Sequence, residues 1–280
     1  MPTVDLAHGR VEYRVTGPES VTPPVVLLHG LLVNNELWTR TADLLAAQGV
    51  RSYAPNLPLG SHTIALDEGA DTTVDGVVTL LLDFLAALDL TDVTLVGNDT
   101  GGALCQILVD RDDSRIGRLV LTNCDAFDKF PPFPFGALKF GSTPGRAKLM
   151  MRAAGPRPIR HSILGYGGLV ATPLDAELSA RWATPATKDA GVARDVAAFL
   201  RSIDKRQLSD VSTRLDRFTK PVRLVWGDKD RFFKLAFAER LQQTFPDAEL
   251  VRVEGGRTFV GLDFPEQVAE QIATFPARTS

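Results

Sequence analysis

Histidine and cysteine are scarce in this 280-residue chain, which has four of the first and two of the second. Cys105 and Cys124 fall inside or beside segments that read as core elements. Two are too few for a disulfide framework or a zinc site, and a reducing cytoplasm is the expected setting. An excess of charge of either sign is also missing. The 31 Lys and Arg against 34 Asp and Glu leave a net charge of −3. That gives no basic field for nucleic acid and no acidic tail, so a small neutral or weakly polar ligand is expected. No apolar run is long enough to span a membrane, and the longest, from Val77 to Leu90, is broken by Asp83 and Asp89. The first residues, Met1 to His8, lack the charged and apolar regions of a signal peptide. The chain shows no internal repeat or low-complexity tract. Neither nucleic acid nor membrane is expected as a partner, and neither a cofactor nor a metal.

What the chain does have is apolar bulk, 44% of its residues, enough for one large core. Short β-rich runs alternate with helical patterns. Strands are expected over Val11 to Val15, Val25 to His29, Ser52 to Pro55, Val93 to Val96, Arg118 to Thr122, Val222 to Trp226 and Glu249 to Val253. Helices are expected over Glu36 to Gln48, Val74 to Leu88, Ala103 to Val109, Ala236 to Phe245 and Pro265 to Phe275. Strands joined through helices imply right-handed crossovers and a mostly parallel sheet. Ligands bind such sheets at the strands' carboxyl ends, where His29-Gly30, Asp99, Asn123 to Asp125 and Asp228 to Asp230 all fall. The proline-rich stretch Lys129 to Gly136 cannot be a helix interior. It opens a segment of short helices without strands. The expected division is a core of residues 1–126 and 218–280 with a helical cap at 127–217.

The most informative stretch is Val93-Thr-Leu-Val-Gly97-Asn-Asp99-Thr-Gly101-Gly102. Asp99 stands at a strand-to-helix turn with glycines two residues to either side. A side chain thrust out at such a turn needs a strained, positive-φ backbone, which requires flanking positions without bulk. The plainer alternative is an Asp that caps a helix after a glycine turn.

With its His29-Gly30 loop, this turn, the late Trp226-Gly227-Asp228-Lys229-Asp230 and the closing Asp263-Phe264-Pro265, the chain resembles the α/β-hydrolase superfamily over nearly its whole length. The Gly-x-Asp-x-Gly-Gly turn resembles the aspartate-nucleophile branch, which holds haloalkane dehalogenases, fluoroacetate dehalogenases and epoxide hydrolases. The resemblance implies attack by Asp99 on an electrophilic carbon and hydrolysis of the resulting ester by a His-activated water. The N–H groups of Leu31 and Thr100 would form the oxyanion hole. Asp230, or alternatively Asp125, would orient the His.

That His is absent. Registering the closing loop on Phe259, Asp263 and Pro265 puts Thr258 in its place, with Arg257 beside it, and neither is a general base near neutral pH. The other histidines offer little: His29 reads as structural, His8 as exposed, His62 as a loop residue and His161 as part of a solvated helix face. Further devices of the branch are missing too. Leu31 and Thr100 stand where haloalkane dehalogenases place an Asn and a Trp to hold the halide. Thr100 also replaces the Arg of fluoroacetate dehalogenases. Leu32 replaces the Pro of epoxide hydrolases, whose two cap tyrosines are here reduced to Tyr166. The pocket is expected to involve His29, Asn34, Trp38, Asp125, Tyr166, Trp182, Arg257 and Thr258. Three functions are compatible with these residues. One is hydrolysis of an epoxide or carbon–halogen bond in an apolar small molecule. The second is a non-hydrolytic isomerase, lyase or cyclase that uses Asp99 as acid or base, and the third is ligand binding without catalysis.

Overall fold

The structure is a computed structural model that describes residues 1–19 and 22–275. Eight strands form one sheet: β1 (Thr3–Leu6), β2 (Gly9–Thr16), β3 (Val25–Leu28), β4 (Ser52–Pro55), β5 (Val93–Asp99), β6 (Ile116–Cys124), β7 (Val222–Gly227) and β8 (Ala248–Val253). Their spatial order is β1-β2-β4-β3-β5-β6-β7-β8, antiparallel across β1, β2 and β4 and parallel from there on. The helices are α1 (Thr39–Ala47), α2 (Val74–Ala87), α3 (Thr100–Arg111), α4 (Pro144–Ala154), α5 (Arg157–Arg160), α6 (Ala176–Ala183), α7 (Pro185–Lys188), α8 (Ala190–Ser202), α9 (Lys205–Ser212), α10 (Leu235–Thr244), α11 (Val260–Asp263) and α12 (Pro265–Ala273). None is long and apolar enough to cross a membrane.

The central strands are apolar on both faces because helices cover both. In β3, Val26 and Leu28 join a core with Val77, Leu81 and Phe84 of α2, while Val25 and Leu27 join a second core with Leu45 of α1 and Val268 and Ile272 of α12. Each such side chain, fully withdrawn from water, contributes about 1.5–3 kcal/mol. The connections leave β3 toward β4 on one side and bring β5 in on the other. The strand order therefore reverses between β3 and β5, which opens a crevice at their carboxyl ends.

The expected strands and helices are present with ends shifted by a few residues. Strand β1 was not anticipated, because four residues alternating between exposed and half-buried are a weak signal for an edge strand. The helix expected from Glu36 begins instead as a 3-10 turn, Asn35–Trp38, capped by the Asn34 side chain, and becomes α-helical only at Thr39. Between β6 and β7 the chain carries α4 to α9 and no strand.

Glycines fix the turn at the end of β5. Asp99 has φ +53° and ψ −127°, and the β5–β6 register shifts between Asn98 and Asp99. A methyl group on Gly101 would stand 2.6 Å from the Leu28 carbonyl oxygen and 2.7 Å from that of His29, and one on Gly102 would collide with Cys124. Backbone carbonyls of a central strand cannot step aside. Gly101→Ala should therefore cost about 1–3 kcal/mol or more in urea unfolding, whereas Gly136→Ala, where a methyl group meets nothing within 4 Å, should change stability by less than about 0.5 kcal/mol.

Candidate active site

Asp99 is lifted from the end of β5 toward β3, and its Oδ2 accepts the Leu31 N–H at 3.1 Å. The Thr100 N–H, at the start of α3, favours the charged form of this carboxylate as well. Gly30 permits the approach, since a methyl group there would run into the Asp99 carboxyl. Asp99 lies on the wall of a cavity of about 180 Å³ between the strand ends and the helical segment that follows β6. Leu31, Thr100 and Asp125 line the same cavity, and so does Tyr166. The rest of the wall is mainly apolar, with Leu138, Met151, Ile159, Leu164 and Leu169 among its residues.

Three carboxyl groups stand at successive strand ends. Burial pushes Asp99 up to about 7, against the pull of the Thr100 and Leu31 N–H groups, and the charge of Asp230 adds to the rise. Asp125, just past β6, accepts the Thr100 hydroxyl on Oδ2 at 3.3 Å, while its buried Oδ1 has no hydrogen-bond partner. Burial, and then the charge of Asp99, hold this carboxyl well above the usual range. Asp230, past β7, is also raised by burial, but four donors oppose the rise. The Asn123 amide and the Thr258 hydroxyl, both at 2.9 Å, share its Oδ2, and the N–H groups of Phe232 and Phe233 share its Oδ1.

Thr258 is thus fully buried and donates to the carboxylate that the resemblance pairs with a His. Its carbonyl accepts from the Asn98 amide at 2.6 Å, which ties the closing loop to β5. Arg257 points elsewhere and donates to the Val170 carbonyl at 2.9 Å. The four histidines are all committed away from Asp99. His29 donates from Nδ1 to the Gly30 carbonyl and accepts the Leu57 N–H on Nε2, so both nitrogens are filled. Burial lowers it to about 4, which keeps it neutral. His62 is paired with Asp195 of α8 at 3.2 Å, and His161 shares a 2.8 Å bond with Ser179 of α6. His8 lies in the half-buried turn between β1 and β2, not on a strand.

Of the eight residues expected around the pocket, Asp125 and Tyr166 line it, the latter with its hydroxyl donated to the Leu32 carbonyl at 2.6 Å. His29, Asn34, Trp38, Trp182, Arg257 and Thr258 do not. Trp182 is packed inside the protein against Tyr166 and Phe259, with its indole N–H on Asn34 at 2.8 Å, so both serve as a brace. Trp38 is sealed against Gly261. Sequence reasoning placed Asn123 at a strand end without assigning it a role and did not single out Asn98; the Asn123 amide bridges Gly227 and Asp230. The signal was there, since an Asn beside an acidic residue at a buried strand end must find partners across the sheet. Among the described residues no group of His, Cys, Asp and Glu is arranged to hold a metal ion.

A family model for the alpha/beta hydrolase fold matches residues 23–265, and the chain belongs to that family. It is 26% identical to haloalkane dehalogenase 2 of Mycobacterium tuberculosis over 284 residues, covering 96% of this chain and 92% of the relative. It is likewise 26% identical to the non-heme chloroperoxidase CPO-A1 of Kitasatospora aureofaciens over 247 residues, 83% of each chain. Among solved structures, haloalkane dehalogenase DbeA of Bradyrhizobium elkani superposes with a TM-score of 0.79 at 20% identity over 97% of this chain and 95% of that one.

The raised Asp99 carboxyl links stability to pH. Its proton is held up to about 7 in the folded chain, against an ordinary 3.8. The stability it contributes is therefore complete below pH 4 and lost as pH rises through 7. Asp99→Asn should match the parent near pH 4 and melt about 2–4 °C higher at pH 8 for each kcal/mol relieved. A difference in Tm that does not change with pH would contradict this account.

Proposed function

We propose that the protein is a hydrolase in which Asp99 attacks the electrophilic carbon of an apolar small molecule, with an epoxide favoured over a carbon–halogen bond. Residues 127–217 serve as the cap that closes the pocket and selects substrate. The observation that carries this reading is the pair of carboxyl groups, Asp99 and Asp125, on the wall of one apolar cavity. Burial raises both carboxyls and the charge of Asp99 raises Asp125 further, so near neutral pH Asp125 holds the proton when Asp99 ionises. Epoxide opening needs a nucleophile and a proton donor together. The side chains that hold the halide in dehalogenases are replaced here by Leu31 and Thr100, neither of which is placed as an equivalent halide clamp beside Asp99.

In this mechanism the Asp99 carboxylate attacks an epoxide carbon and the C–O bond breaks. Protonated Asp125 gives its proton to the departing oxygen, which leaves an alkyl ester on Asp99 and an ionised Asp125. Water then adds to the ester carbonyl while Asp125 takes one of its protons. The Leu31 and Thr100 N–H groups receive the oxyanion. Collapse expels the diol oxygen, which takes the proton back from Asp125; Asp99 is left as the acid, and its remaining proton passes to Asp125, which restores the starting pair. Asp125 thus supplies both the acid and the base, the second of which the branch draws from a His. Asp230, saturated by Asn123, Thr258 and two backbone N–H groups, holds the closing loop in place.

Turnover of epoxides in ¹⁸O-labelled water should place label in Asp99 as well as in the diol. Asp99→Asn should abolish turnover, and Asp125→Asn, which removes both the acid and the base, should slow formation and release of the Asp99 ester alike, each by about 10²–10⁴-fold as followed by intact-protein mass. The second reading, acid–base isomerisation or cyclisation by the same pair, is favoured by the replacement of the His by Thr258. It predicts product of unchanged mass and no labelled Asp99.

A further inference from the structure

The charge of this protein is unevenly spread in a way its total conceals. From residue 129 to residue 174 the chain contains no Asp or Glu, yet it carries Lys129, Lys139, Arg146, Lys148, Arg152 and Arg157, and also Arg160, within a protein of net charge −3. Lys129 is paired with Asp128. Arg146 and Arg152 stand exposed three residues to either side of exposed Leu149, so they share one face of α4.

The last of these cations reaches the cavity. Arg160, at the end of α5, is part of the wall that also holds Asp99 and Asp125. Its Nε donates to the Ser179 hydroxyl at 3.0 Å, Nη1 to the Gly155 carbonyl at 2.5 Å and Nη2 to the Ala176 carbonyl at 2.9 Å. All three acceptors are neutral, so the guanidinium is fixed in place without a carboxylate to balance it. Each Nη keeps an N–H unspent in these bonds, and a guanidinium presents its donors in a rigid fork suited to a carboxylate. Ile159 and Leu164 line the same cavity while remaining 52% and 67% exposed, which places them at its mouth. The cavity is therefore polar in two separate places, the paired carboxyls and Arg160 with Ser162, with apolar wall making up most of the remainder.

We propose that the cavity takes an anionic amphiphile: a medium-chain monocarboxylic acid whose carboxylate sits on Arg160, whose hydrocarbon body lies along the apolar wall and whose electrophilic carbon is presented to Asp99. The cations carried by the same segment strengthen the pull on an acid, because a one-signed field raises the local concentration of an opposite charge. The placement of the reactive carbon rests on the function proposed above, whereas the seat for the head group does not. A cavity meant for neutral apolar molecules has no use for an unbalanced guanidinium in its wall.

The test uses inert probes, so that it does not depend on turnover. Octanoate and octan-1-ol differ at the head and have no electrophilic carbon at the chain. In titration calorimetry at low salt octanoate should bind at least about tenfold tighter, the gain expected of one charge-assisted contact. High salt should narrow that gap. Arg160→Gln should remove it, Arg160→Lys should restore part of it, and Asp99→Asn should keep it. If Arg160→Gln does not fold, the exposed triple variant Lys139→Gln, Arg146→Gln, Arg152→Gln should slow octanoate association while sparing octan-1-ol. Equal affinity for the two probes, or a preference that survives Arg160→Gln, would overturn the proposal. So would the absence of octanoate binding together with pelleting on phosphatidylglycerol vesicles, which would make the cationic face a membrane contact. Unlabelled Asp99 after exposure to epoxides would defeat the proposed reaction and leave this binding result standing.

Discussion

Three carboxyl groups gathered at the ends of neighbouring parallel strands, none of them relieved by a cation, are the constraint to which the rest of this structure answers. Asp99, Asp125 and Asp230 are all raised by burial, and each is met by dipoles in place of charges. Backbone N–H groups serve Asp99, the Thr100 hydroxyl serves Asp125, and an amide, a hydroxyl and two N–H groups serve Asp230. An ionised carboxylate left unpaired in such a place costs several kcal/mol, so protons and donors have to be arranged for all three together. That arrangement ranks them. Asp230 is saturated, Asp99 is half-buried and faces the cavity, and Asp125 keeps one oxygen without a partner.

Thr258 belongs to the same arrangement. It is smaller than a His and carries no titratable proton, yet it places a donor on the same Asp230 oxygen that Asn123 also meets. Its hydroxyl makes a fixed hydrogen bond that pins the closing loop. Asn98 reinforces it from β5. Asp99 and Asp125 are the carboxyl groups on the cavity wall.

The order of elements and the strained turn at Asp99 were legible because both are local. Alternating apolar runs report strands, caps and glycines report helix ends, and Gly97, Gly101 and Gly102 report close approach of backbone to backbone. The register on Phe259, Asp263 and Pro265 singled out Thr258, but its bond to Asp230 had to come from the structure. The wall of the cavity was less legible. Trp38, Trp182 and Asn34 have the character of pocket residues, but whether an aromatic ring faces a cavity or a core depends on what packs against it. Here Gly261, Tyr166 and Phe259 do.

The sequence by itself determined an α/β-hydrolase fold and an aspartate at its sharp turn, because each is written within a stretch of chain shorter than one element and its turn. Only the tertiary structure decided which acids share a cavity, which acid is saturated, and that the one cation in the wall has no carboxylate beside it. Those are relations between strand ends and helices up to about a hundred and sixty residues apart, such as Asn98 with Thr258. They exist only once the crossovers have brought the ends of β5, β6 and β7 to the same edge of the sheet.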